Sequence, residues 1–341
     1  MRANSMWIRS LAATSLLSLF GCSVAGSAAV TVDAADTELG PQFYEVRDGE
    51  SVAYLFGTVH LSDERTRTLP RVVETAFLES DALYVELKPG REAMVEMLGL
   101  ARLPEGTTLE SVMGEKDWSR IGDRFERAGL SRSDADNLQP MAPWMVLGQI
   151  AFLSDAPPEP VLDRTFSLRS EQVERPVFGL ETVTQQLTLF TSLTLEQQAE
   201  WLRRHLDTLD EFEAQGRDME RETLDAWASG SPKELFDLQA QTDSGPLSRA
   251  EVEHGLLWVR NERFADGIDR ALSATEDGSI FVAVGAMHLP NPPGVSAEDE
   301  RSAAKPRRLG VAELLRARGY DVRRVDASWR VQSEAGAGVD G

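Results

Sequence analysis

Apolar and polar residues alternate with two different periods along this chain, and the switches between them mark the elements. Phe43-Tyr44-Glu45-Val46-Arg47 and Ser51 to Phe56, separated by the turn Asp48-Gly49-Glu50, read as a strand hairpin. A helix is predicted from Pro70 to about Ser80, with Pro in its first turn and Val72, Val73, Ala76 and Phe77 on one face. Ala82-Leu83-Tyr84-Val85-Glu86-Leu87 is a further strand, closing a β-helix-β unit whose two strands are expected to be parallel neighbours. From residue 92 to about 275 the pattern is mostly helical: a helix from Asp134 to Leu153, a loop at 154–160, acidic amphipathic helices over 195–228, a short one at 232–239 and another over 248–274. Val177 to Thr182 reads as a strand inside this stretch. Ile280-Phe281-Val282-Ala283-Val284 is apolar throughout, as a strand buried on both faces must be. A helix at 310–318, Gly319 as its stop and the strand Tyr320 to Val325 close the pattern. The order predicts an α/β fold: a mixed, largely parallel sheet flanked by helices, with a large helical insertion.

Two of the apolar runs end alike, in Gly57-Thr58-Val59-His60 and in Gly285-Ala286-Met287-His288. Each is a strand broken by Gly and followed at once by His, so each places an imidazole at a strand's C-terminal edge, where open α/β sheets build their ligand sites. Glu86 and Glu181 also stand at strand ends. Two neutral imidazoles and one or two carboxylates suit a divalent transition metal with an open position for water, and a spare carboxylate suits a general base. Each residue has a plainer reading too. A single strand-end His often serves only as a hydrogen-bonding group; Lys88 or an arginine beside Glu86 would explain its burial; Glu181, Thr182 or Thr184 could cap the next helix. Arg260 and Asn261 are either a solvated helix face or a clamp that reaches the site. His205 and His254 read as surface or packing residues. No Gly-x-Ser-x-Gly elbow, His-Glu-x-x-His helix, P-loop or dinucleotide fingerprint is present.

The net charge of −21 over 341 residues argues against a nucleic-acid or anionic-lipid partner. Arg2 and Arg9 followed by the apolar run Leu11 to Phe20 predict a signal peptide over residues 1–21, too short to span a bilayer as a stable helix. Leu19-Phe20-Gly21-Cys22 resembles a bacterial lipobox, with Phe20 bulkier than the usual residue at its place. Cys22 is the chain's sole cysteine, which suits an acyl acceptor and excludes a disulfide framework. Ser23 after it favours an outer-membrane lipoprotein of the cell envelope; cleavage near Ala25 or Ala29 would instead release a periplasmic protein. Residues 22–40 read as a tether, 41–328 as the folded domain and 329–341 as a disordered tail.

Taken in order, Tyr54 to Leu61, the strand ending in Glu86, Gly179-Leu180-Glu181-Thr182, Arg260-Asn261, Val284 to Leu289 and Leu314 to Val322 resemble the TraB/GumN (PrgY) family, whose animal relatives include the Tiki proteases. The resemblance runs from about Phe43 to Val325. It implies a fold akin to erythromycin esterase and the ChaN haem-uptake protein, and a metal-dependent hydrolase cleaving a peptide or protein substrate, with Mn or Co as the ion; the donor types would also admit Zn. It carries His60, Glu86 and His288 over as metal ligands, with Glu86 alternatively the base, and Glu181, Arg260 and Asn261 as supporting catalytic positions. A non-catalytic periplasmic module holding a peptide or a haem-like ligand in the same pocket is the alternative. Pro290 to Leu309, rich in Pro and charge, departs from the family pattern and follows His288 directly, which makes it a candidate cover for the site.

Overall fold

The computed structural model describes residues 39–150, 153, 160–241, 245–298, 300 and 306–329. The predicted leader, Cys22, the tether up to residue 38 and the tail beyond Trp329 lie outside them.

Six strands form one sheet: β1 (Phe43–Asp48), β2 (Ser51–Thr58), β3 (Ala82–Val85), β4 (Val177–Gly179), β5 (Ser279–Gly285) and β6 (Asp321–Arg324). Their order is β4-β3-β5-β2-β1-β6. The β2, β5, β3 and β4 strands run parallel, and β1 pairs antiparallel with both β2 and β6. This is the mixed, largely parallel α/β sheet that the sequence predicts. One expectation needs correcting. The β2 and β3 strands are not neighbours, because β5 lies between them, in register with Val52 to Thr58 on one side and Ala82 to Val85 on the other. The physical reason is burial: β5 is the most apolar strand, and only the centre of the sheet covers both its faces. Since all three strands are parallel, their C-terminal ends still share one edge.

Alternate residues of β5 serve different cores. Phe281 and Ala283 pack with Phe43, Phe56, Phe77 and Phe166 on one face. Ile280, Val282 and Val284 pack with Leu55, Phe264, Ile268 and Leu315 on the other. A third core belongs to the helical middle, around Trp144, Phe190, Trp201 and Trp258. The predicted helix from Asp134 is divided: a 3₁₀ turn covers Arg132–Leu138 and the α-helix starts at Pro143. Pro140 and Pro143 account for the break, since each lacks the N–H that a continuous helix requires.

The helix predicted over 248–274 forms, with one feature the apolar period does not show. An α-helical turn Arg249–Glu253 leads into a single π turn, His254–Trp258, before the α-helix resumes over Val259–Ser273. Leu256, Leu257 and Trp258 anchor the π turn in the helical core, whereas Phe264 and Ile268 lie under the sheet. Arg260 and Asn261 follow that turn, where the two cores meet.

Candidate active site

The first tetrad closes β2 and the second closes β5, so the parallel register sets them side by side. Gly57 is needed for this approach: a Cβ there would stand 2.8 Å from the Cα of Ala286 and 2.9 Å from the Cβ of Gln42. The Gly57 carbonyl is held from below by the Trp227 indole N–H at 2.8 Å. His60 and His288 both line a half-open cavity of about 50 Å³, with Thr58, Trp227, Leu257 and Met287 among its other walls. That is room for three or four waters.

Glu86, the first residue after β3, is buried beside the second tetrad. Its Oε1 accepts from the Gly285 N–H at 2.8 Å; its Oε2 accepts from Gln186 Nε2 at 3.0 Å and from Arg260 Nη2 at 2.6 Å. Burial alone would raise its pKa, but the adjacent Arg260 charge, with smaller contributions from His288 and His60, holds the carboxyl down at about 2. Glu86 is therefore ionised across the physiological range.

Arg260 is 1% exposed. Its Nε donates to Glu181 Oε1 at 2.8 Å and its Nη2 makes a second bond to the same oxygen. Glu181 is thus not the cap of the helix Val183–Thr191; Thr182 does that job through a capping box with Gln185. Burial pushes the Glu181 carboxyl upward despite Arg260. Arg260 also donates through Nη1 to the Leu256 carbonyl and to His288 Nε2, both at 3.2 Å.

Asn261 fixes the protonation of His288. Its Nδ2 donates to the Leu309 carbonyl at 2.9 Å, so its Oδ1 is the atom facing His288 Nδ1 at 2.6 Å. An amide oxygen only accepts, hence Nδ1 carries the proton and Nε2 the lone pair. Burial, reinforced by Arg260, pushes this imidazole down to about 3, so it is neutral. Phe264 packs edge-on against the ring at 4.9 Å between centroids.

His60 differs: both its ring nitrogens are buried and lack a hydrogen-bond partner among the described residues. Its nearest charged neighbour is Asp163 Oδ2, 3.7 Å from Nδ1. Burial pushes Asp163 up to about 6, with Glu86 adding to the rise and His60 opposing it. Asp163 carries no sequence signal. It follows a Pro-rich loop, opens the helix Leu162–Gln172 and belongs to no strand-end motif.

The structure therefore brings His60, Glu86, Glu181, Arg260, Asn261 and His288 together. His205 is wholly buried in packing and His254 is exposed, both away from this cluster. The 290–309 segment does not cover the cavity with any of its described residues. It packs along the helix Val259–Ser273, with Arg307 Nε on Glu262 at 3.0 Å and Arg308 Nε on the buried Glu300 at 2.9 Å.

Does this set suit a divalent cation? In kind it does: an ionised carboxylate, a neutral imidazole with its lone pair on Nε2, and a second imidazole with unclaimed buried nitrogens. Glu86 pairs with the fully buried Arg260, and Glu181 with Arg260 and, at 3.7 Å, with the part-exposed Arg263, so the two carboxylates are already matched by two guanidiniums and the case for an ion rests on the kinds of donor present. The set is not a closed cage. Among the described residues no three His, Cys, Asp or Glu side chains converge as ready ligands: His288 Nε2 lies 3.7 Å from Glu86 Oε1, and Arg260 donates to both residues.

Comparison with known proteins agrees with the family resemblance. The model of the TraB/PrgY/gumN family matches residues 43–324, and the chain belongs to that family. The chain is 22% identical, over 334 aligned residues, to "Metalloprotease TIKI2" of Xenopus tropicalis, an alignment covering 81% of this chain and 58% of that protein. No solved structure matches the chain.

Proposed function

We propose that this TraB/PrgY/gumN-family chain is a metal-dependent hydrolase cleaving peptide bonds at the edge where the two tetrads meet. The observation that carries the reading is the protonation pattern at the shared strand edge: Glu86 held ionised, His288 held neutral with Nε2 free of a proton, and His60 with its nitrogens unclaimed. His60, His288 and Glu86 would hold the ion. A divalent ion bound there would supply Lewis acidity, polarising a carbonyl and lowering the pKa of water. Being held at about 2, Glu86 is a weak base, which favours the ligand role over that of proton acceptor. Arg260, whose five N–H groups are all engaged within the cluster, would act as a fixed positive charge that holds Glu86 ionised and in place. Asn261 keeps His288 in the tautomer a ligand needs.

The preference for peptide bonds and the choice among Mn, Co and Zn rest on the name of the relative and on ligand chemistry. A haem-like ligand would not fit within the cavity of about 50 Å³ and would have to lie at its open side. We propose a bacterial-envelope location from the predicted leader and Cys22; loss of fatty-acid labelling in Cys22→Ser would support the anchor. The activity itself is tested with a peptide library, the metal-loaded chain and its His60→Ala and His288→Ala variants. Cleavage that needs the ion and falls more than ~100-fold in both variants is expected. Cleavage unchanged by chelator, or retained in both variants, would overturn the proposal; binding of peptides without cleavage would favour the non-catalytic alternative.

A further inference from the structure

Asp163 is a buried carboxylate oxygen with nothing to do in the account so far. Its Oδ1 accepts from Thr58 Oγ1 at 3.1 Å, whereas its Oδ2 has no hydrogen-bond partner among the described residues. The nearest arginines on its own helix are engaged elsewhere, Arg164 with Glu171 and Arg169 with Glu74. What faces Oδ2 is His60 Nδ1, 3.7 Å away and equally without a partner.

We propose that Asp163 is the positioning residue of His60, its Oδ2 accepting the Nδ1 proton so that Nε2 is the free donor. This rests on the reading of the two imidazoles as paired donors of one site. The argument is the comparison with His288. There a side-chain oxygen, Asn261 Oδ1, backs Nδ1 at 2.6 Å and leaves Nε2 unprotonated. Asp163 stands in the corresponding relation to His60, short of hydrogen-bond length by about 1 Å. A small rotation of either side chain closes that gap and satisfies two buried polar atoms at once. Thr58 makes the arrangement selective. As the second residue of the first tetrad it holds Oδ1, which leaves Oδ2 as the oxygen offered to the imidazole. The second tetrad has Ala286 at that place and takes its acceptor from the helix Val259–Ser273 instead. Carboxylates and carbonyls behind a ligating imidazole fix its tautomer and orientation, and losing one weakens metal binding ~10–100-fold.

The test needs no metal. Ring nitrogens of the ¹⁵N-histidine-labelled full chain, assigned with single His variants, are read by long-range ¹H–¹⁵N correlation at one fixed pH. His60 and His288 are both expected with the proton on Nδ1. Asp163→Ala is expected to move the His60 proton to Nε2 and leave His288 unchanged. A wild-type His60 protonated on Nε2 overturns the proposal even if the alanine variant fails to fold, as does an unchanged His60 in a folded Asp163→Ala. Titration with Mn²⁺ then separates the two readings. The expected tautomers in a protein that takes up no ion would sink the metal reading and leave Asp163 in its role. Tight Mn²⁺ binding, with His60 on the wrong tautomer and no effect of Asp163→Ala, would do the reverse.

Discussion

Arg260 is the residue on which the site's electrostatics turn, since it alone stands against Glu86 and Glu181 with full burial. Removing it leaves Glu86 without its cation and Glu181 with only the more distant, part-exposed Arg263. Arg260→Met is therefore expected to destabilise the fold by roughly 3–5 kcal/mol in urea at pH 7. The deficit should shrink toward pH 5, where protonation relieves the like charges; a deficit independent of pH would deny the pairing. Asn261→Ala removes the acceptor behind His288 and should weaken divalent-ion binding ~10–100-fold by calorimetry while changing the fold little. Most of these residues were legible in the sequence because a polar side chain at the end of an apolar strand has few ways to be satisfied. His60, Glu86, Glu181 and His288 all share that signature. Arg260 and Asn261 were legible only through family resemblance, for on a helical wheel they read equally well as a solvated face. Asp163 was not legible at all. Its importance comes from the tertiary meeting of a helix start with Thr58 and His60, which no local pattern encodes.

At the level of elements, the site depends on two strand ends lying closer together than side chains normally allow. Gly57 makes this possible, and Gly57→Ala should force the tetrads apart, costing about 1–3 kcal/mol of stability. It should also impair ion binding more than its stability cost explains, which calorimetry on the folded variant would check; unchanged binding would mean that the close approach is incidental. The strands themselves were readable from their apolar runs and turn residues. Their order was not: the continuous hydrophobicity of β5 signals a central strand, but nothing in the β-helix-β unit says that a strand two hundred residues on will enter between its members. The π turn before Arg260 was equally hidden. One extra residue in a turn leaves the apolar period almost untouched, yet it sets which way Arg260 and Asn261 face, and π turns of this kind recur at functional sites.

Taken whole, the molecule joins a two-faced sheet to a separate helical core, and the cluster around Arg260 lies at that junction. Acid stability should be governed partly by the helical core. Burial, helped by Arg124, pushes His205 down to about 3, so below its unfolded pKa near 6.5 the unfolded chain binds a proton that the native state refuses. Stability from this group is present above that pH and is lost as pH falls toward 3. His205→Leu, compared with wild type by urea denaturation, should therefore gain about 1.4 kcal/mol of relative stability per pH unit between pH 6 and pH 4. A constant difference across that range would mean that His205 is charged in the native core. The central claim, however, is that two tetrads at opposite ends of the sequence make one divalent-ion site, and calorimetric titration of Mn²⁺, Co²⁺ and Zn²⁺ into the chelator-stripped chain tests it most directly. The account predicts one ion per chain, with binding weakened more than ~100-fold in both His60→Ala and His288→Ala. A folded wild-type chain that takes up none of the three ions, or binding that survives in both variants, would contradict it.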